Sequence, residues 1–355
     1  MTHFRCLRKA FLAIFLLISK RRQGSLRSRF SLNKDDHLLK RTLISFAVLL
    51  LLLLPLHAKE GMRIGIRDGY LKNMGYKDVW SAAKAIGVDR LELEVTPELR
   101  CPNLYEADGT THSIADKTSV ERLTKTLKAK KISVCAFTTV IPLVGSMTPP
   151  QAHQWVSSVA KVARQLKTPV IMMPLIARNI EDAQFIERAR EFVGPLQAVA
   201  KENGVQLTIE NLGHYLNRKE ILDPILTSFD SRHVALTLDI CNMYWFGHPL
   251  SKVYELAEHF APYVRYVHVK NIRYPEEKRE TQRPEGWEYT QDAEPVPSGD
   301  LDFSKIIGFY YKAGYRGTLT LEDDSLWKYK MPQLQQIHQK DVQHLRKIVE
   351  QLSSG

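Results

Sequence analysis

Four segments of this chain end on ionisable side chains of complementary kind. They read Thr208-Ile209-Glu210-Asn211, Thr237-Leu238-Asp239, Tyr266-Val267-His268-Val269-Lys270 and Thr320-Leu321-Glu322-Asp323. If these runs are neighbouring strands of one sheet, Glu210, Asp239, His268 and Glu322 converge at its end. Three carboxylates that close repel one another, and burial raises their pKa values, unless a cation compensates. One divalent ion is the simplest compensation. An oxygen-rich set with one imidazole suits Mn2+, Mg2+ or Co2+ better than a thiolate site would, and zinc is also admissible. A single acid at a strand end more often caps a helix or meets solvent. Four in register shift the weight to a metal centre.

The elements that must position these groups follow from the alternation of patterns after Met62. Short β-rich runs occur at Arg63–Ile66, Arg90–Val95, Ile132–Thr138, Pro169–Pro174, Gln206–Glu210, Val234–Asp239, Val264–Val269 and Thr318–Glu322. Stretches with apolar residues three and four apart lie between them, among them Ser119–Lys130, Gln151–Leu166, Ala183–Glu202 and Phe303–Lys312. Gly87, Gly204 and Gly314 each stand at a predicted helix end just before a strand, where glycine takes the left-handed cap conformation without penalty. Eight βα units over about 290 residues match an α/β protein of the (β/α)8 TIM barrel type as a single domain, with interior strand positions expected to be apolar. A doubly wound open sheet is the competing arrangement, but no Gly-x-Gly-x-x-Gly turn follows the first strand; Gly65-Ile66-Arg67-Asp68-Gly69 stands there instead. The longest connection, Asn271 to Leu301, precedes the last strand and is predicted to be a lid over the C-terminal face.

Composition excludes some functions. The 355 residues are 44% hydrophobic and 25% charged, ordinary globular values that rule out disorder. Formal net charge is +11, but residues 1–59 hold 12 of the 50 Lys/Arg and 2 of the 39 acids, which leaves the body at +1. A groove that tracks phosphates needs clustered positive charge, so no nucleic-acid partner is expected. The front segment has its own reading. Thr42 to Ala58 is 17 residues without formal charge, follows Lys40-Arg41, contains Val48 to Leu54 and ends at Pro55-Leu56-His57-Ala58. That is the pattern of an export signal cleaved near Ala58, or of a short membrane anchor. The domain plan is thus 1–58 as a basic leader, 62–325 as the barrel and 326–355 as a C-terminal helix packing on it. Export implies a periplasmic, secreted or membrane-anchored protein, and a start at Met62 would imply a cytoplasmic one. The four cysteines, Cys6, Cys101, Cys135 and Cys241, have no short paired spacing and indicate neither a zinc knuckle nor a disulfide framework.

The order Glu210, Asp239, His268, Glu322 on strands five to eight, with Asp239-x-x-Asn242, His268-Val269-Lys270-Asn271 and Ser298-Gly299-Asp300-Leu301-Asp302-Phe303, resembles the xylose isomerase-like TIM barrels. The likeness spans roughly residues 62 to 325. That superfamily includes sugar (phosphate) isomerases and epimerases and the class II apurinic endonucleases. In ketose 3-epimerase-like members the four matching positions hold one Mn2+ or related ion. The resemblance therefore implies metal ligation by Glu210, Asp239, His268 and Glu322, with Glu210 and Glu322 also exchanging protons with the substrate. Such an ion acts as a Lewis acid on a carbonyl and adjacent hydroxyl, and one glutamate on each face can move the proton of an enediolate.

Departures narrow the reading. Asn242 stands where members commonly carry a histidine, and it can bind a substrate hydroxyl but is a poor metal ligand. The extra histidines of the three-zinc endonuclease site are missing: strand two offers Glu92 and Glu94, and strand three ends Phe137-Thr138-Thr139. Asn271 replaces a common aspartate and is expected to alter the surroundings of His268. Substrate contacts are assigned to Asn242, His214, Lys270 and Arg273, with a structural ion pair as the other role of Lys270. Trp287 and Tyr289 are candidates for stacking on a sugar ring. His248 is read as the start of a helix and Cys241 as packing. The functional expectation is a metal-dependent isomerase or epimerase acting on a small, unphosphorylated or oxidised carbohydrate. Alternatives are a lyase or dehydratase using the same enediolate, and a non-catalytic sugar-binding barrel. The expected partners are the sugar, the membrane only through an uncleaved leader, and, compatibly with the sequence, further copies of the chain.

Overall fold

The computed structural model describes residues 61–72 and 74–354. The export signal or anchor expected within residues 1–58 lies outside them. Eight strands form the barrel: β1 Arg63–Arg67, β2 Arg90–Glu94, β3 Ser133–Thr138, β4 Val170–Ile176, β5 Gln206–Glu210, β6 Val234–Asp239, β7 Val264–Val269 and β8 Thr318–Leu321. Each pairs in parallel with the next, and β8 returns to β1 with Arg63 opposite Thr318 and Ile66 opposite Leu321, so the sheet has no free edge.

Helices separate every pair of strands and bury their apolar faces on the outside of the barrel. Their ends show the expected chemistry. Asp78 and Asp116 accept hydrogen bonds from Ser81 N and Ser119 N, 2.7 and 2.9 Å away, and so cap the helices Val79–Ile86 and Lys117–Lys130. Gly87 and Gly204 close helices in the left-handed conformation. The helix expected over Ala183–Glu202 is instead two helices, Asp182–Val193 and Leu196–Asn203. Pro195 causes the break, because it lacks an N–H and its ring clashes with the preceding turn. The last helix, Gln333–Ser354, buries Leu334, Val342, Leu345 and Ile348, and its Gln339 donates a 2.7 Å hydrogen bond to Ala85 O at the end of helix Val79–Ile86. Among the described residues no helix is long and apolar enough to cross a membrane. Cys101, Cys135 and Cys241 are buried free thiols.

The barrel interior is not uniformly apolar. Thr208, Thr237, Tyr266 and Thr320 point into it beside Cys135 and Met172. These hydroxyls satisfy one another: Thr237 donates to Thr208 at 2.6 Å and Thr320 to Tyr266 at 2.6 Å. Paired in this way, buried hydroxyls avoid the cost of desolvation without a partner. Side chains two apart on a strand share a face. Thr208, Thr237, Tyr266 and Thr320 therefore form the floor on which Glu210, Asp239, His268 and Glu322 stand.

The connection predicted as a lid is pinned to the body. Asn271–Ile272 pairs antiparallel with Ala293–Glu294. The Asn271 amide donates to Val296 O and Leu301 O at 2.8 and 3.1 Å, and its Oδ1 accepts from Ile272 N and Leu301 N. Gly299 lets this happen: a Cβ there would lie 2.2 Å from Asn271 Cγ. Arg283 is buried between the rings of Tyr244 and Tyr274, 4.6 and 4.3 Å from their centroids, and donates to Tyr244 O and His248 O.

Candidate metal centre at the mouth of the barrel

The four strand-end residues meet. Glu210, Asp239, His268 and Glu322 each offer one ligand atom, and these atoms lie within 4.8 Å of one another. All four side chains are buried. His268 Nδ1 lies 3.3 Å from Glu210 Oε1 and 3.4 Å from Glu322 Oε2. Asp239 follows from the capping role of its own strand end: Oδ1 accepts from Cys241 N at 3.0 Å at the start of helix Ile240–Trp245. Its Oδ2 is buried and accepts no hydrogen bond among the described residues. A buried carboxylate oxygen whose one close partner is the Lys270 ammonium, beside two further carboxylates and an imidazole nitrogen, fits a divalent cation.

Neighbouring side chains set the orientation of this group. Glu92, in the middle of β2, accepts from His268 Nε2 at 2.7 Å and from Thr138 Oγ1 at 2.6 Å. Arg67, the last residue of β1, places NH1 2.5 Å from Glu322 Oε1. Lys270 places Nζ 2.9 Å from Asp239 Oδ2 and 3.2 Å from Glu322 Oε2. Asn211 holds the end of β6 through two 2.8 Å bonds with the Asp239 backbone.

Burial and charge oppose each other here. Burial disfavours the charged forms throughout, yet the Glu92 and Glu322 carboxylates raise the His268 imidazole well above its usual range. Against the same burial, Lys270, His268 and Arg67 hold Glu322 well below the ordinary carboxylate range. Glu92 is also lowered, because His268, Arg67 and the Thr138 hydroxyl outweigh its burial. For Asp239 burial wins and the carboxyl rises to about 6, with Lys270 restraining it.

The other sequence candidates lie apart from the four ligands or are otherwise engaged. The Asn242 amide is buried and donates to Asn211 O at 3.1 Å. His214 is exposed and pairs with Glu285 at 2.8 Å. Arg273 is exposed and bonds through its backbone N–H to Asp292 O. Tyr289 donates to Asp324, while Trp287 packs 5.7 Å from the Tyr274 ring. His248 bonds Asn217 O at 2.9 Å, and Cys241 is packed. Asn271 spends its amide on the long connection, so the partner that fixes the His268 ring is Glu92. The sequence alone does not mark Glu92 and Arg67 as site residues: alternating Leu and Glu in β2 leaves open which face points inward. A cavity of about 980 Å3 opens at the N-terminal ends of the strands beside Arg63, Lys84, Lys131 and Arg346. Among the described residues, the acids and imidazole that could hold a metal converge at the opposite end.

Fold and centre together define a (β/α)8 barrel whose C-terminal mouth carries a buried carboxylate–imidazole set able to hold a metal ion. The chain belongs to the xylose isomerase-like TIM barrel family, whose sequence profile matches residues 80–348. A search of the curated proteins returned no match. Among solved structures, a D-tagatose 3-epimerase-like protein superposes with a TM-score of 0.58 at 14% identity, covering 82% of this chain and 99% of its own. A xylose isomerase-like TIM barrel protein from Mycobacterium smegmatis in complex with magnesium gives 0.58 at 15% identity, covering 82% and 97%. Mannonate dehydratase from Streptococcus suis serotype 2 gives 0.57 at 12% identity, covering 82% and 94%. At these identities the likeness is one of fold.

Proposed function

We propose that the protein is a metal-dependent sugar isomerase or epimerase that removes and returns a proton on the carbon beside a carbonyl. The observation that carries this is the placement of Glu210 and Glu322 around one buried imidazole nitrogen, 3.3 and 3.4 Å from His268 Nδ1. Glu210, Asp239, His268 and Glu322 would hold the ion, with Mn2+ the first choice and Mg2+, Co2+ or Zn2+ as alternatives. When bound, the ion supplies Lewis acidity toward a carbonyl and its neighbouring hydroxyl. Glu322 is kept ionised and is turned by Arg67 on Oε1, so that Oε2 faces the other ligands. Glu210, which approaches the same His268 nitrogen, supplies the second carboxylate that a two-face proton transfer requires. Burial of all four side chains excludes water from the transfer.

Charge bears on the substrate. Glu92, Glu94, Glu210, Asp239, Glu322 and Asp324 surround Arg67, Lys270 and His268, and a divalent ion leaves the mouth net negative. This supports a neutral sugar over a phosphorylated one. Export, inferred from residues 42–58, agrees with that preference.

A lyase is the second reading, favoured by Lys270: its ammonium beside the carboxylates can donate a proton to a departing hydroxyl, while Arg67 only hydrogen-bonds Glu322. Incubation of metal-loaded protein with unphosphorylated ketoses and keto-acids in D2O separates the readings. Deuterium appearing beside the carbonyl with mass otherwise conserved supports isomerisation, and loss of water supports the lyase. No exchange and no water loss across the panel overturns both.

A further inference from the structure

Lys270 brings a cation into the space where the candidate ligand carboxylates need one. It follows β7 directly and shares the parity of His268, so its side chain is directed into the barrel mouth, where it is 8% exposed. Nζ contacts three acids: Asp239 Oδ2 at 2.9 Å, Glu322 Oε2 at 3.2 Å and Asp324 Oδ2 at 3.5 Å. The first two belong to the four ligands and the third does not. Asp239 Oδ2 has no hydrogen-bond donor among the described residues, so the ion pair is its charge compensation. Asp324 is fixed from two sides, by the Tyr70 hydroxyl at 2.5 Å and by the Tyr289 hydroxyl from the long connection.

We propose that Lys270 is an internal counter-cation that competes with the divalent ion for Asp239 and Glu322. In the metal-free protein its ammonium holds the two carboxylates together against their repulsion. A divalent ion takes over both oxygens, and like charges at such range repel strongly in a buried setting. The ammonium cannot reach solvent without abandoning its buried stem, and Asp324 is the acceptor already in contact. Lys270 therefore lowers the affinity for metal, stabilises the metal-free fold, and passes metal arrival to an acid that also anchors the long connection. The proposal rests on the metal reading of the centre.

The test compares wild type, Lys270→Met and Asp324→Asn by Mn2+ titration calorimetry and by thermal unfolding in EDTA. Lys270→Met is expected to bind Mn2+ at least tenfold more tightly and to melt at a lower temperature in EDTA. Asp324→Asn, which removes the acceptor for the displaced ammonium, is expected to bind Mn2+ several-fold more weakly. If Lys270→Met binds no more tightly than a wild type that does bind, the competition is overturned and the metal centre stands. Should Lys270→Met fail to fold, unchanged Mn2+ affinity in Asp324→Asn overturns it as well. Absence of Mn2+ binding in all three overturns both the competition and the metal centre.

Discussion

Glu92 and His268, 176 positions apart in the chain, are joined by a 2.7 Å hydrogen bond between two fully buried side chains. Because Nε2 is committed to Glu92, Nδ1 is the nitrogen presented to Glu210 and Glu322. A carboxylate behind a ligating imidazole fixes its tautomer and raises its basicity. Glu92→Gln should therefore weaken Mn2+ binding by about 10–100-fold while the four ligands remain. Calorimetric titration checks this, and an affinity within twofold of wild type would remove the role assigned to Glu92.

Glu210→Gln and Glu322→Gln should each lower kcat for the proton transfer by about 10²–10⁴-fold at saturating metal. Deuterium exchange from D2O reports the step directly. Near-normal exchange in both variants would sink the acid–base assignment.

Asp68, at the end of β1, is fully buried, and burial pushes its carboxyl up to about 8 against the restraint of Arg67. The folded state thus holds a proton that the unfolded state releases near pH 4. The associated stability is complete below about pH 4 and is lost as pH rises toward 8. Asp68→Asn should gain on wild type by roughly 1.4 kcal/mol per pH unit across that window. Urea unfolding at pH 4.5, 6 and 7.5 provides the measurement; a pH-independent difference contradicts it.

His338 shows the opposite sign. It is fully buried on the last helix, neither ring nitrogen has a hydrogen-bond partner among the described residues, and burial lowers its pKa to about 4. Folding holds the ring neutral, so the associated stability is complete above about pH 6.5 and is lost as pH falls toward 4. His338→Leu should abolish that loss, roughly 3 kcal/mol at full extent, and should melt higher than wild type at pH 5. A variant that retains the wild-type acid sensitivity would place the titrating group elsewhere.

The barrel was legible because buried parallel strands are short apolar runs separated by amphipathic stretches, several of which end at glycine caps, and the strand bounds drawn from those patterns agree with the structure to within about two residues. The four candidate ligands were legible because each stands within one residue of a strand's C-terminal end. Glu92 was not, since Leu91-Glu92-Leu93-Glu94 reads equally well as a half-exposed strand; only closure of the barrel shows that position 92 faces inward. Arg67 was hidden because the strand read from the sequence stops at Ile66, whereas it continues through Arg67. Asp324 and Tyr289 meet only through the path of the long connection, which local pattern does not encode.

The Arg67–Glu322 contact crosses the seam where the first strand meets the last. A ribosome that has not yet released residue 322 has made every other strand of the barrel, but no centre. Partial chains hold Arg67, Glu210, Asp239 and His268 without the fourth acid that Arg67 turns. On the proposed metal reading, truncated products should be poor scavengers of divalent ions, and occupancy of the centre would mark a chain that has been synthesised and closed to its eighth strand.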